Sequence, residues 1–386
     1  MSGVVRVHLD VPMEQTFGPE IALGVSRFAL ASDRQWLLSV PDWQEPMPET
    51  TSTGQQCSDV GIITRAATDH QDNLIADRGI PAVNVSGVLR SSKLPRVQSD
   101  DHACGVLAAE HLIDRGYTRF AAAFIDGQVW RDRAAGFAAR VRRQGHHCTL
   151  FRLGSVAPSQ HGSLTARLAE WLERLPEPTG VLAVSDLMGR RLSDACRLAG
   201  LRVPDRVALI GVDNSELMCH LADPPLTSVD INAEQIGFNA AAILDRLLRG
   251  EPVPTTQIVP PRGVIARAST DALAVDDPDV AEALATIQAR ACDPLDVETV
   301  LQKVAVSRRT LESRMRKAIG RTPGQEIKRV RLQTARDLLV FSDASLQRIA
   351  RRTGYQGLAA FSHSFKQHTG LSPGQYRLQF RSSDVR

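Results

Sequence analysis

The chain has 386 residues, enough for two or three domains, and a net charge of only +3. That balance hides an asymmetry: residues 278–386 carry 19 Lys and Arg against 10 Asp and Glu, a net +9, and the remainder is −6. No segment approaches the ~18 apolar residues of a membrane span, the first residues lack a signal-peptide apolar run, and six singly scattered cysteines offer no metal or redox spacing, so a cytoplasmic protein without membrane contact, metal or cofactor is expected.

From residue 4 to about 270, strands and helices alternate. Strands are expected at 4–9, 36–40, 60–64, 82–85, 120–125, 148–153, 181–184, 207–212, 257–259 and 264–265. Helices are expected at 19–30, 68–77, 102–115, 133–143, 164–174, 187–198 and 233–248. A Pro/Thr/Ser-rich loop follows the second strand. Short apolar β runs between helices of 10 to 15 residues indicate parallel sheets. They are too many for one ordinary doubly wound sheet. Two sheets hinged over a cleft account for them, with a ligand at the carboxyl ends of the strands. The expected fold is therefore an α/β body, residues 1–270, a small acidic linker, 271–278, and an all-α domain, 279–386.

The last domain contains one pattern twice. Leu311, Met315, Gly320 and Pro323 stand fifty residues before Phe361, Phe365, Gly370 and Pro373. Each copy reads as a short helix, a turn, a longer helix and a Gly-x-x-Pro stop, a helix-turn-helix unit used twice. Ser307 is placed to cap the second helix of the first copy. With Leu311 and Met315 inward, Arg308, Arg309, Glu312, Ser313 and Arg316 face outward. In the second copy Gly354 sits in the turn, Phe361 and Phe365 point inward, and Gln356, Gly357, Leu358, Ser362, His363 and Lys366 form the outer face. Such faces suit the DNA major groove. Residues 323–341 read as one long helix, a spacer for two reading helices about one DNA turn, ~34 Å, apart.

The phrases R-L-Q-T-A-R-D-L-L, S-L-Q-R-I-A-R-R-T-G-Y and F-S-H-S-F-K-Q-H-T-G-L-S-P-G-Q-Y-R resemble the DNA-binding domain of the arabinose-operon activator family. Ala359 and His363 depart from the Ser and Arg common there. The body, through Q-S-D-D-H-A-C-G-V-L-A-A-E-H-L, R-D-R-A-A-G-F and V-A-L-I-G-V-D-N-S-E, resembles the periplasmic-binding-protein-like sensor of the lactose-repressor family. In that family the chain crosses between lobes three times, which here implies one lobe of about 1–117 plus 232–249 and another of about 118–231 plus 256–270. The combination resembles the regulators of xylose operons. It implies a sugar-responsive activator with D-xylose as effector, duplex operator DNA and RNA polymerase as partners, and a homodimer paired through its body. A repressor, another monosaccharide, or a transport-type sugar receptor are the alternatives.

A carboxylate accepts two vicinal sugar hydroxyls and a guanidinium donates two bonds from a fixed fork. Asp213, directly after a strand, is implied as a hydroxyl acceptor. Arg133, read as opening a helix, is the arginine that the sensor family turns to its ligand. Asp100, Ser185, Asp186 and Asn232 stand where they would either touch ligand or cap helices. Asp10 ends the first strand and faces the cleft. Trp130, Phe17 and Trp43 would stack on a sugar or fill the core. No phosphate-binding glycine loop, G-x-S-x-G or H-E-x-x-H occurs, so no catalysis is expected.

Overall fold

The computed structural model describes residues 4–13, 17–40, 60–154, 161–272, 275 and 277–380. Trp43 and the loop expected around it lie outside the described residues.

The body begins with β1 (Val4–Asp10), α1 (Gly18–Ala31), β2 (Gln35–Ser39), β3 (Val60–Thr64), α2 (Asp69–Ala76), β4 (Ala82–Asn84) and β5 (Arg96–Ser99). After α3 (Asp101–Asp114) come β6 (Arg119–Phe124), α4 (Gln128–Arg143), β7 (His147–Arg152), α5 (His161–Glu173) and β8 (Thr179–Ala183). Then follow α6 (Asp186–Leu198), β9 (Val207–Val212), α7 (Glu216–Leu221), β10 (Thr227–Asp230), α8 (Ala233–Leu248), β11 (Thr256–Val259) and β12 (Gly263–Ile265). Among the described residues two six-stranded sheets result, ordered β11-β5-β4-β3-β1-β2 and β12-β10-β9-β8-β6-β7. The pairings are parallel except β10 with β12. Every residue of β8 and β9 is buried, as parallel strands covered on both faces must be.

The lobe boundaries differ from the expected ones. Strand β11 pairs with β5 in the first sheet, Val259 opposite Ser99, so it does not belong to the second lobe. Helix α3 packs on α4 and on the second sheet, so it does not belong to the first. Its stripe of Cys104, Ala108 and Leu112 is fully buried, and Leu112 fills the space beside Gly180 of β8. The chain thus crosses between β5 and α3, between β10 and α8, and between β11 and β12. Strands β5 and β10, which the sequence reading lacks, are short and polar, and helix α7, also lacking, is only six residues long; all three form because neighbouring elements complete them.

One device recurs in both lobes. A Cβ on Gly24 of α1 would lie 1.9 Å from the Glu234 carbonyl of α8, and one on Gly237 of α8 would lie 2.0 Å from the Ile21 carbonyl. Gly105 of α3 and Gly136 of α4 repeat this against the Arg133 and His102 carbonyls, at 2.0 and 2.2 Å. Backbone meets backbone at each crossing, so each helix pair is locked as one block.

The C-terminal domain comprises α9 (Pro278–Arg290), α10 (Val297–Leu301), α11 (Arg308–Ile319), α12 (Pro323–Phe341), α13 (Leu346–Arg352), α14 (Leu358–Thr369) and α15 (Pro373–Phe380). Helix α9 is absent from the sequence reading. It is capped by Asp277 and buries Val280, Ala283, Leu284 and Ile287. The domain has two cores. Ile327 of α12 joins Leu311, Met315 and Ile319 of α11 in one, and Leu332, Ala335 and Leu339 join Phe361 and Phe365 of α14 in the other. Helix α12 is the spine shared by both. Gly320 and Gly370 end α11 and α14 at φ +73° and +78°, and Pro323 and Pro373 open the helices that follow.

Candidate effector cleft and nucleic-acid interface

The cleft is built on the carboxyl ends of β8, β9 and β10. Strand β9 delivers Asp213 and Asn214 in left-handed backbone, φ +119° and +56°. Non-glycine residues rarely hold such angles unless their surroundings fix them. Here the Asp213 amide donates to the Val229 carbonyl (3.0 Å), the Asn214 amide to Ser228 Oγ (3.0 Å), and Arg267 Nη2 to Asn214 Oδ1 (2.9 Å).

Arg133 is the hub. It lies in the second turn of α4, not at its start, and is 4 % exposed. Its Nε donates to Asp101 Oδ1 (2.8 Å), and Nη1 donates to the Val184 carbonyl (2.8 Å) and to Asp213 Oδ1 (2.9 Å). Burial disfavours its charge, but Asp213 and Asp101 outweigh that and hold the guanidinium protonated well above its ordinary range. Asp101 is the residue the sequence reading missed. The signal was the Asp-Asp pair: Asp100 caps α3, accepting from the Ala103 amide (2.9 Å), which frees its neighbour to turn inward.

Asp213 also lines a cavity of about 290 Å³ with Glu20 and Leu23 of α1, Glu216, Asp230, Glu234 and Arg262. Both lobes contribute. Glu20 Oε2 is a buried oxygen without a hydrogen-bond partner among the described residues, and burial raises the Glu20 carboxyl above its usual range. On the same side Phe17 lies under the Arg65 guanidinium, 5.3 Å from ring centroid to Cζ, and the Asp213 charge reaches Arg65. Asp10 ends β1 beside them, accepting from Thr64 Oγ1 (2.7 Å). Trp130, half-buried in the first turn of α4, packs against the core with Gly127 at its ring.

Three further candidates have other local duties. Ser185, not Asp186, caps α6 by accepting from the Met188 amide. Asp186 is fully buried, accepting from Ser228 Oγ (2.6 Å) and the Ser215 amide (2.7 Å); burial, then the nearby Asp213 charge, pushes its carboxyl up to about 8. It ties α6 to the loop after β9 and to strand β10. Asn232 precedes α8 with φ +63° and makes no side-chain cap; its backbone amide donates to Asp230 Oδ1 (2.7 Å), and its buried Oδ1 has no partner among the described residues.

On the C-terminal domain, Ser307 caps α11 by accepting from the Thr310 amide (3.3 Å). Arg308, Arg309, Ser313 and Arg316 are exposed, with Glu312 half-exposed among them. Arg308 pairs with Glu298 (2.8 Å) and Glu312 (3.2 Å), and Arg316 reaches Glu312 at 3.9 Å. Exposed pairs of this kind are screened by solvent and hold weakly, so these arginines are readily drawn to phosphate. In the second unit Gln356, Leu358, His363 and Lys366 are exposed, Ser362 is half-buried, and Gly357 is the N-cap of α14.

A two-lobed α/β receptor joined to a double helix-turn-helix is the build of a one-component transcription regulator. A family model for a periplasmic binding protein-like domain matches residues 109–270, and one for a helix-turn-helix domain matches 300–379. The chain is 31% identical over 381 residues to the xylose operon regulatory protein of Escherichia coli strain K12, 96% of each chain. It is 30% identical over 384 residues to that of Haemophilus influenzae, 97% of this chain and 98% of the other. The solved structure of xylose-binding transcription activator xylR matches with a TM-score of 0.62 at 28% identity, over 99% of this chain and 100% of that one. The chain belongs to the family of xylose operon regulatory proteins, and its relatives are transcription regulators rather than enzymes.

Proposed function

We propose that the protein binds D-xylose between its lobes and answers by changing how α11 and α14 are offered to operator DNA, so that genes for pentose use are activated. The observation that carries this is the buried Asp101–Arg133–Asp213 chain beside a cavity of about 290 Å³. Carboxylates and a guanidinium fork are the groups that recognise a ring of hydroxyls, and the volume suits one monosaccharide. The relatives' names supply the particular sugar. In this reading Asp213 and Arg133 contact the sugar, Asp10 and Glu20 meet it from the first lobe, and Phe17 and Trp130 cover its apolar face. Asp100, Ser185, Asp186 and Asn232 hold the frame around it. Ser307, Arg308, Arg309, Glu312, Ser313 and Arg316 read one major-groove segment, and Gln356, Gly357, Leu358, Ser362, His363 and Lys366 the next. The protein acts in the cytoplasm as a homodimer, in contact with RNA polymerase.

The test has two arms. Thermal unfolding is followed with a panel of pentoses and hexoses; a ligand at a hundred times its dissociation constant adds about 2.7 kcal/mol. A random duplex library is then enriched on the protein with and without the active sugar. D-xylose should give the largest shift and alter the enriched sequences. A shift from none of the sugars, or no enrichment above random duplex, overturns the reading.

A further inference from the structure

Helix α3 has one end in the cleft and the other on the DNA-binding domain. At its start, Asp101 holds Arg133 and accepts from Ser99 Oγ (2.8 Å). Its fourteen residues span roughly 20 Å. Its last turn holds two things. His111 Nε2 meets Thr270 Oγ1 (2.9 Å) and Arg115 Nε donates to the Thr270 carbonyl (2.8 Å), gripping the chain where it leaves the body. Asp114 takes Arg321 Nη1 on one carboxylate oxygen and Arg329 Nη1 on the other, both at 2.9 Å.

The other side of that contact is a socket. Glu326 of α12 is completely buried, and its carboxylate lies between the same two arginines, Arg321 Nε at 2.9 Å and Arg329 Nη2 at 2.7 Å. Burial would raise Glu326, but the bonds and charges of Arg329 and Arg321 outweigh it and hold it below the usual range. Within the DNA-binding domain the trio carries one positive charge in excess. Asp114 supplies the missing negative charge, and the resulting square of two carboxylates and two guanidiniums fixes position as well as balance.

We propose that the end of α3 is the docking post for the DNA-binding domain and that α3, locked to α4 at Gly105 and Gly136, is the rod by which the cleft moves that domain. Arg133 rides on α4 and touches both cleft carboxylates, so any change in the cleft that shifts it shifts the whole block. Asp114 lies at the far end and displaces Arg321 and Arg329 with it. Because Arg321 stands just before α12 and Arg329 in its second turn, and α12 is the spine of both helix-turn-helix units, the displacement reaches α11 and α14 together. The sugar-linked half of this proposal rests on the function proposed above; the docking half does not.

The test uses the full chain carrying Asp114→Arg, which sets three cations together, Asp114→Asn as a gentler variant should the first fold poorly, and Asp114→Arg with Arg329→Asp as a charge exchange. Small-angle scattering should show a larger, looser particle for the single variants and a compact one for the exchange. Amides of 323–341 should exchange about tenfold faster in the single variants. D-xylose should alter exchange at α12 in the parent and not in Asp114→Asn, although it still protects the cleft strands. Unchanged scattering and α12 exchange in Asp114→Arg and Asp114→Asn would overturn the docking post. An α12 response to D-xylose that survives in undocked Asp114→Asn would overturn the rod. If D-xylose protects no cleft amides in the parent, the sugar reading fails and with it the rod, while scattering still decides the docking post.

Discussion

Arg133 and Asp213, 80 residues apart in the chain, meet through a 2.9 Å hydrogen bond between side chains each only 4 % exposed. The guanidinium would be costly to bury alone. It is tolerated because Asp101 and the Val184 carbonyl occupy other donors of its fork. The pair also joins α4 to the strained loop after β9, so local geometry and electrostatics at the cleft share one cause.

Arg133→Met should therefore cost more than a single hydrogen bond. It leaves Asp101 and Asp213 buried without their counter-charge, and breaking such a pair destabilises by about 3–5 kcal/mol. Arg133→Lys keeps the charge but not the fork, and should lose less stability while weakening D-xylose binding at least about tenfold. Urea unfolding and calorimetry measure the two effects separately.

Gly105→Ala should destabilise by about 1–3 kcal/mol, because a Cβ there meets the Arg133 carbonyl at 2.0 Å and must push α4 away. The same shift moves Arg133, so sugar affinity falls with stability. Gly374→Ala in α15, with nothing within 4 Å of the added carbon, should be neutral or stabilising by about 0.5–1 kcal/mol. Equal costs for the two in chemical denaturation would contradict the packing described.

Asp186 binds its proton more tightly folded than unfolded, its carboxyl rising from 3.8 to about 8 on burial and beside Asp213. Its contribution to stability is greatest below its unfolded value and is lost as pH rises toward 8, after which it changes no further. Asp186→Asn removes the titration and keeps the shape. The variant should unfold with a flatter dependence on pH than the parent between about pH 5 and 8, gaining on it toward the alkaline end. Glu20 and Asp230, also raised by burial, keep some slope in both proteins. Urea midpoints across that range give the difference, and parallel curves would remove Asp186 as its source.

Arg309→Ala and Gln356→Ala should weaken selected duplex binding while leaving sugar affinity intact. Truncating a side chain that reads a base costs about 1–3 kcal/mol and relaxes preference at one position; truncating one that holds a phosphate lowers the salt slope by about one. Binding isotherms at several salt concentrations tell these apart. If either change weakened D-xylose binding as much as DNA binding, the division of labour between the domains would fall.

Most of the fold was legible because its signals are local. The fifty-residue repeat, Ser307 as a cap, Gly320 and Gly370 as stops, and the full extent of α12 each depend on a few neighbouring residues whose conformational preferences agree. Where elements are short, as in the polar strands β5 and β10 and the six-residue helix α7, no local preference dominates, and they were missed. Helix α9 was missed for a different reason: its apolar stripe sits directly after the acidic stretch read as linker.

The sequence by itself determined that a two-sheet α/β receptor precedes a doubled helix-turn-helix, because hydrophobic period, turn chemistry and repeat spacing are written residue by residue. Only the tertiary structure decided that α3 belongs to the second lobe, that Asp101 rather than Asp100 turns to Arg133, and that Asp114 seats Arg321 and Arg329. Those are pairings between side chains far apart in the chain. Burial and charge compensation select them only after the backbone has brought them within hydrogen-bonding distance.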